Sequence, residues 1–160
     1  MRYLIGAGTY AAFDDSIGLR IVEHVAEKGL ERGFSAVDLS AGALALMPYL
    51  DKTTEHILLV DTAKMGLAPG SYLFFAPEQV VSRKPLGGIS THEDDILKVL
   101  ELARATGHHI PPITLMGIEP ETVRPGFGLS PVLAERFAGY VAEAVARIGA
   151  SPPRSVGISR

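Results

Sequence analysis

Cysteine is absent from this chain of 160 residues. Its absence excludes disulfide bonds, thiolate metal sites and a cysteine nucleophile, so any chemistry must come from oxygen and nitrogen groups. A chain without cysteine is also compatible with the reducing environment of the cytosol.

Long apolar runs and large basic clusters are missing as well. No segment approaches the roughly 18 consecutive apolar residues of a membrane span, and no basic and then apolar leader opens the chain. The formal net charge is −3, and no basic cluster is longer than "SRK" at 82–84. These features argue against nucleic acid or a membrane as a partner. We therefore expect a soluble, cytoplasmic protein.

Several well-known catalytic motifs do not occur. The H-E-x-x-H pattern of zinc proteases is missing, and so is the G-x-S-x-G turn of serine hydrolases. The segment "LLVDTA" contains a D-T-A triplet similar to that of aspartic proteases, but it occurs once, in a chain whose pattern is α/β. We interpret this triplet as coincidental.

The pattern that is present alternates β-rich runs with helical periods. With 47% apolar residues, the chain can bury one substantial core, so we predict a single domain over 1–150 and a flexible tail over 151–160. Parallel strands are predicted at 2–8, 34–40, 56–63 and 113–118, and an additional antiparallel edge strand at 70–77. The predicted fold is a three-layer α/β sandwich with a central twisted, mostly parallel sheet and helices on both faces.

The helices and loops between these strands are predicted from periodicity and capping signals. A helix follows the first strand, a shorter one covers 42–50, and another follows residue 91. In the last helix Ser130 is the expected cap and Pro131 occupies the first turn. The segment 78–88 is predicted to be a mobile loop, and His24 and His56 are interpreted as surface residues.

Four carboxylates follow the predicted parallel strands. Asp14 and Asp15 come after the first strand, Asp38 ends the second and Asp61 ends the third. Because ligands of such sheets bind beyond the carboxyl ends of the strands, these residues are expected at one functional edge. Aspartates at strand ends also serve as helix caps and turn residues, so this structural interpretation stays open.

The segment "GAGTYA" at 6–11 fits the dinucleotide pattern G-x-G-x-x-G/A, which on its own is a weak signal. In a dinucleotide site the helix begins within the glycine loop, and its N-terminus faces the phosphates. Here the helix is predicted to begin only after Asp14 and Asp15, which would put two negative charges at the phosphate position. The simpler interpretation is a tight turn that needs glycine, although a small nucleotide-binding module stays an alternative.

His92 is the histidine that could reach this edge. Thr91 and Asp94 form a capping-box pattern, so His92 is expected at the first position of a helix. It is either an exposed helix-start residue or, if the preceding loop returns to the carboxyl edge, a partner of Asp15 and Asp61. Two carboxylates and one imidazole suit a divalent transition metal such as nickel or zinc better than magnesium.

Five segments in the same order resemble the nickel–iron hydrogenase maturation endopeptidases. They are "GAGTYAAFDDSIGLRIVE", "LLVDTAKMGLAPGSYLFF", "STHEDDILKVLELA", "MGIEPE" and "GLSPVL". The resemblance implies an endopeptidase that removes the C-terminal extension of a hydrogenase large-subunit precursor after nickel insertion. The partner would be that precursor, and the metal would be nickel recognised in the substrate, with zinc or another divalent ion able to substitute.

The same resemblance implies that Asp15, Asp61 and His92 contact the metal and take part in catalysis, and that Asp38 contacts the substrate. Two residues depart from the family pattern: Thr9 replaces a usual asparagine, and Asp15 replaces a frequent glutamate. A noncatalytic chaperone or adaptor that binds the large subunit is the second alternative. A monomer is expected because the enzyme must admit a larger protein.

Overall fold

The computed structural model describes residues 1–79 and 91–150, with only the backbone for 91–94. Its β-strands are β1 (Arg2–Gly6), β2 (Ser35–Asp38), β3 (His56–Thr62), β4 (Tyr72–Phe75) and β5 (Ile113–Ile118). Its α-helices are α1 (Ile17–Glu27), α2 (Thr91–Ala105) and α3 (Pro131–Gly149), and two 3₁₀ helices cover Phe13–Ser16 and Ala43–Tyr49.

The five strands form one sheet in the order β2-β1-β3-β5-β4. The first three pairings are parallel, and β4 pairs with β5 in the antiparallel direction at one edge. The predicted mostly parallel sheet with one antiparallel edge strand is therefore confirmed. Crossover connections place helices over both faces, as expected for parallel strands.

The alternation of side chains along β3 separates two apolar layers. Leu58 and Val60 pack with α1 and α3 on one face of the sheet. Ile57 and Leu59 pack with α2 and the second 3₁₀ helix on the other face. Because β3 lies in the middle of the sheet and is covered on both faces, all its residues are buried.

Two predicted helices are present, and the structure adds detail to each. The short helix expected at 42–50 is a 3₁₀ helix, and Pro48 inside it lacks the N–H that a regular α-helix requires. Ser130 does occupy the cap position of α3, but its side chain makes no capping bond to the helix. Its hydroxyl instead donates to Asp14 Oδ2 at 2.7 Å.

The interpretation of His56 as a surface residue is wrong, since its side chain is completely buried at the start of β3. Its Nε2 shares a hydrogen bond of 2.9 Å with Thr114 Oγ1. Burial lowers the pKa of His56 to about 4, with a smaller contribution from the positive charge of Arg2. This imidazole is therefore neutral at physiological pH, which is why the core tolerates it.

Residues 78–79, at the start of the predicted loop over 78–88, are helical. The predictions for the rest of that loop and for the tail at 151–160 lie outside the described residues. The assignment of one domain to 1–150 stays a prediction. Among the helices of residues 1–79 and 91–150, none is long and apolar enough to cross a membrane.

Candidate functional site

Glycines let the first loop pass close to the sheet at its carboxyl edge. Gly8 has a φ of +137°, which L side chains rarely adopt, and a Cβ at this position would overlap the carbonyl oxygen of Asp15. A Cβ on Gly6 would in the same way overlap the carbonyl oxygen of Gly18 in α1. The "GAG" segment is therefore a tight turn against α1, in agreement with the simpler interpretation.

Thr62 brings two of the predicted carboxylates together. Its hydroxyl donates to Asp15 Oδ1 at 2.8 Å, and its backbone N–H donates to Asp61 Oδ1 at 2.7 Å. Asp15 is 7% exposed and Asp61 is 3% exposed. Two buried carboxylates joined through one residue form a site of concentrated negative potential, which a cation or a proton can offset.

The position of each residue along β3 determines which layer its side chain joins. Asp61 shares the face of Ile57 and Leu59, which is the face covered by α2. Thr62 has the opposite orientation and meets Asp15, which lies just before α1. The carboxylate pair therefore lies between the two helical layers, at the end of the sheet.

His92 lies in the first described turn of α2 (Thr91–Ala105). One turn later, Asp95 lines a groove together with Ala41 and Gly42, which follow the carboxyl end of β2. The first half of α2 thus lies beside the functional edge. The imidazole of His92 is outside the described side chains, and among those described no group of three or more acidic or histidine side chains could hold a metal.

Asp14, the first of the adjacent aspartates, has a structural role. Its completely buried carboxylate accepts hydrogen bonds from the backbone N–H groups of Glu121, Thr122 and Ser130 and from the Ser130 hydroxyl, at 2.7–2.9 Å. These four bonds hold residues 119–130, called here the β5–α3 loop, against the segment that carries Asp15. The sequence separation of more than 100 residues explains why no local pattern predicted this clamp.

Asp38 lies apart from the buried pair, exposed at the carboxyl end of β2. It accepts a hydrogen bond from the Ser40 backbone N–H at 2.7 Å and one from the Tyr10 hydroxyl at 3.3 Å. Burial and the neighbouring Asp38 carboxylate raise the pKa of Tyr10 to about 12. The Tyr10 hydroxyl therefore stays protonated and can donate to Asp38 at neutral pH.

Sequence reasoning missed Thr62 and Glu119. The Glu119 carboxylate is buried and accepts hydrogen bonds from the backbone N–H groups of Met65 and Leu67, so it holds the β3–β4 loop beside the site. The available signal was a polar residue just after each of the apolar runs of β3 and β5: Thr62 follows Asp61, and Glu119 directly follows Ile118. That signal does not identify the hydrogen-bond partner.

The geometry at the start of α1 does not suit a phosphate. The helix begins at Ile17, after a 3₁₀ helix that contains Asp14 and Asp15, as the sequence predicted. Both carboxylates are buried next to the helix N-terminus. A phosphate group there would meet two negative charges, so the dinucleotide alternative lacks the anion site that it requires.

Comparison with known proteins agrees with this architecture. Residues 19–147 match the family model described as hydrogenase maturation protease. The matched range contains Asp61 and His92 and begins four residues after Asp15. The chain is 30% identical over 137 residues to the hydrogenase 2 maturation protease of Escherichia coli (strain K12), covering 83% of this chain and 82% of that protein.

Solved structures show the same fold. The hydrogenase maturating endopeptidase HybD from Escherichia coli superposes with a TM-score of 0.77 at 25% identity, covering 98% of this chain and 100% of the other. The [NiFe] hydrogenase maturation protease HybD from Thermococcus kodakarensis has a TM-score of 0.74 at 23% identity, covering 92% and 99%. From its sequence match, its similarity to the curated relative and its fold, this chain belongs to the hydrogenase maturation protease family.

Proposed function

We propose that this protein is an endopeptidase that removes the C-terminal extension of a nickel–iron hydrogenase large-subunit precursor once nickel has been inserted. The observation that carries the proposal is the buried pair of carboxylates, Asp15 and Asp61, joined through Thr62 at the carboxyl edge of the sheet. Family membership supports the reaction class. The carboxylate pair supports recognition of a cation within the substrate.

In this proposal, Asp15, Asp61 and His92 contact nickel that the precursor already holds. Two carboxylates offset the charge of a divalent cation, and an imidazole supplies the nitrogen ligand that late transition metals prefer. His92 is included because it lies in the first turn of α2, and α2 covers the face of the sheet on which Asp61 lies. Zinc or another divalent ion could occupy the same ligands. Metal recognition would act as a checkpoint, since an unloaded precursor lacks the group that these ligands bind.

Cleavage adds water across the scissile peptide bond. Two routes fit the carboxylate pair: a metal that polarises the carbonyl group or activates water, and an aspartate that removes a proton from the attacking water. Both routes require the extension to enter at the edge where Thr62 joins Asp15 and Asp61. Asp38 is exposed beside this edge, and we assign it a contact with the precursor rather than a role in bond cleavage.

Alanine variants of Asp15, Asp61 and His92 test the assignment. Each variant is expected to lose processing of the nickel-loaded precursor, measured by intact mass, because each removes one metal contact. His108→Ala is the matched control, since His108 is an exposed histidine after the far end of α2. Circular dichroism establishes that each variant is folded. Normal processing by a folded His92→Ala variant would contradict the assignment.

The adaptor alternative predicts a different result in the same assay. A noncatalytic binder of the large subunit would form a stable complex with the precursor and leave its mass unchanged. The buried carboxylate pair favours the protease, because a binding surface alone does not require two buried acids joined through one residue. The protein would act as a monomer on its larger partner, which leaves the carboxyl edge accessible.

A further inference from the structure

Phe127 exposes more of its surface than any other large apolar residue in the part of the chain that the structure describes. Its side chain is 74% exposed, at the tip of the β5–α3 loop. Val123 in the same loop is 49% exposed. Aromatic side chains are enriched at the centres of protein interfaces, so an exposed phenylalanine with a second exposed apolar residue in the same loop is a candidate contact for another protein.

The turn that carries Phe127 is held at both sides. On one side, the Gly126 backbone N–H donates to the Ala11 carbonyl and the Gly126 carbonyl accepts from the Phe13 N–H, both at 2.9 Å. On the other side, Ser130 makes two hydrogen bonds of 2.7 Å to the Asp14 carboxylate. The backbone around Phe127 is therefore ordered before any partner binds.

Side-chain contacts and backbone conformation reinforce this arrangement. The Arg124 guanidinium lies 4.3 Å from the centre of the Phe13 ring, which fixes the middle of the loop to the first loop. Gly126 and Gly128 have φ values of +142° and +112°, which L side chains rarely adopt. The two glycines allow the chain to turn sharply around Phe127, so that its ring points outwards.

We propose that Phe127 is a docking anchor that inserts into an apolar pocket on the surface of the large-subunit precursor. This inference rests on the proposed function, which requires a protein substrate at the carboxyl edge. The loop is continuous with that edge, because Asp14, which holds it, directly precedes Asp15. A single projecting ring suits a pocket on a folded protein, and an ordered aromatic anchor binds at a small entropic cost.

Kinetics of precursor processing separate docking from catalysis. Phe127→Ala is expected to raise KM for the nickel-loaded precursor about 10- to 100-fold, the range of a binding hot spot, and to change kcat less than about twofold. Phe127→Leu should recover most of the lost binding, since leucine restores an apolar side chain of similar length. Leu102→Ala is the control, because Leu102 is a large apolar residue that is 46% exposed near the C-terminal end of α2, outside the β5–α3 loop.

An unchanged KM for Phe127→Ala would overturn the docking proposal, and so would an equal loss in Leu102→Ala. Sedimentation velocity tests a second copy as the occupant: a dimer that Phe127→Ala dissociates would also overturn it. Direct binding to the precursor, measured by biolayer interferometry, separates this proposal from the protease assignment. Phe127-dependent binding without cleavage would support docking while the protease assignment fails, and no binding would overturn docking.

Discussion

Among single residues, Thr62 connects the two halves of the candidate site. Its hydroxyl binds the carboxylate of Asp15 from the α1 layer, while its backbone N–H binds that of Asp61 on the opposite side of β3. A side-chain hydrogen bond of this kind contributes about 0.5–1.5 kcal/mol. We therefore assign Thr62 the role of a positioning residue for Asp15.

Replacing Thr62 by valine keeps the shape of the side chain and the backbone bond to Asp61, but removes the hydroxyl. We expect kcat/KM for precursor processing to fall roughly 10-fold, because a hydrogen bond of about 1.4 kcal/mol no longer orients Asp15. Thr62→Ser keeps the hydroxyl and should retain most activity. Equal losses in the two variants would show that packing, rather than the hydrogen bond, explains the effect.

His56 makes the stability of the fold depend on pH. In the unfolded chain its pKa is near 6.5, whereas burial lowers it to about 4 in the folded protein. Between these values the unfolded state binds more protons, so the free energy of unfolding decreases as the pH falls from 6.5 to 4. Above pH 6.5 the His56 imidazole is neutral in both states and this loss of stability is absent. A shift of the His56 pKa from 6.5 to about 4 corresponds to about 3 kcal/mol of unfolding free energy.

Chemical denaturation between pH 7 and pH 4 measures this contribution. The double variant His56→Leu, Thr114→Val removes the imidazole together with its hydrogen-bond partner, so its stability should fall less steeply than that of the wild type over this range. His109→Gln, a change at an exposed histidine, should leave the wild-type slope intact. If the double variant loses as much stability as the wild type, His56 is not the group responsible.

At the level of elements, the approach of α1 to the sheet depends on glycine. A Cβ on Gly18 would overlap the carbonyl oxygen of Val60 in β3 and lie 2.7 Å from that of Ala7. Backbone atoms cannot move away as a flexible side chain can. The helix therefore packs against β1 and β3 at a distance that only glycine permits, and this distance sets the position of Asp15 just before the helix.

Two glycine-to-alanine variants in helices test this packing. Gly18→Ala is expected to lower the free energy of unfolding by about 3 kcal/mol or more, because α1 must move away from the sheet. A Cβ on Gly139 in α3 would meet no atom within 4 Å. Gly139→Ala should therefore raise the free energy of unfolding by about 1 kcal/mol, because alanine has the higher helix propensity. Thermal and urea unfolding provide the measurement. A neutral Gly18→Ala variant would contradict the close packing of α1.

The elements themselves were largely predictable. The strands β1, β3 and β5 are short apolar runs, and α3 has an apolar stripe of helical period, so local patterns identify them. The short helix predicted over 42–50 is a 3₁₀ helix at Ala43–Tyr49, and Pro48 is the local signal against a regular α-helix. The burial of His56 was not predicted, because no local pattern indicates whether other elements pack over a polar residue at the start of a strand.

At the level of the whole molecule, the sheet order determines which distant residues meet. The rule that ligands bind beyond the carboxyl ends of parallel strands predicts Asp15 and Asp61 at one edge of the sheet, and Thr62 contacts both of them there. It could not predict that Asp14 holds the β5–α3 loop or that Thr62 lies between the two acids. These contacts depend on how separate loops pack, and their sequence separations of 47 to 116 residues leave no periodic signal.

The central claim is that the protein cleaves a hydrogenase large-subunit precursor only after nickel insertion. The most direct measurement is to incubate the purified protein with nickel-loaded and nickel-free precursor and to determine the intact masses. We predict that a C-terminal fragment is lost from the loaded precursor alone. Cleavage of both forms would contradict the nickel checkpoint, and cleavage of neither would contradict the protease assignment.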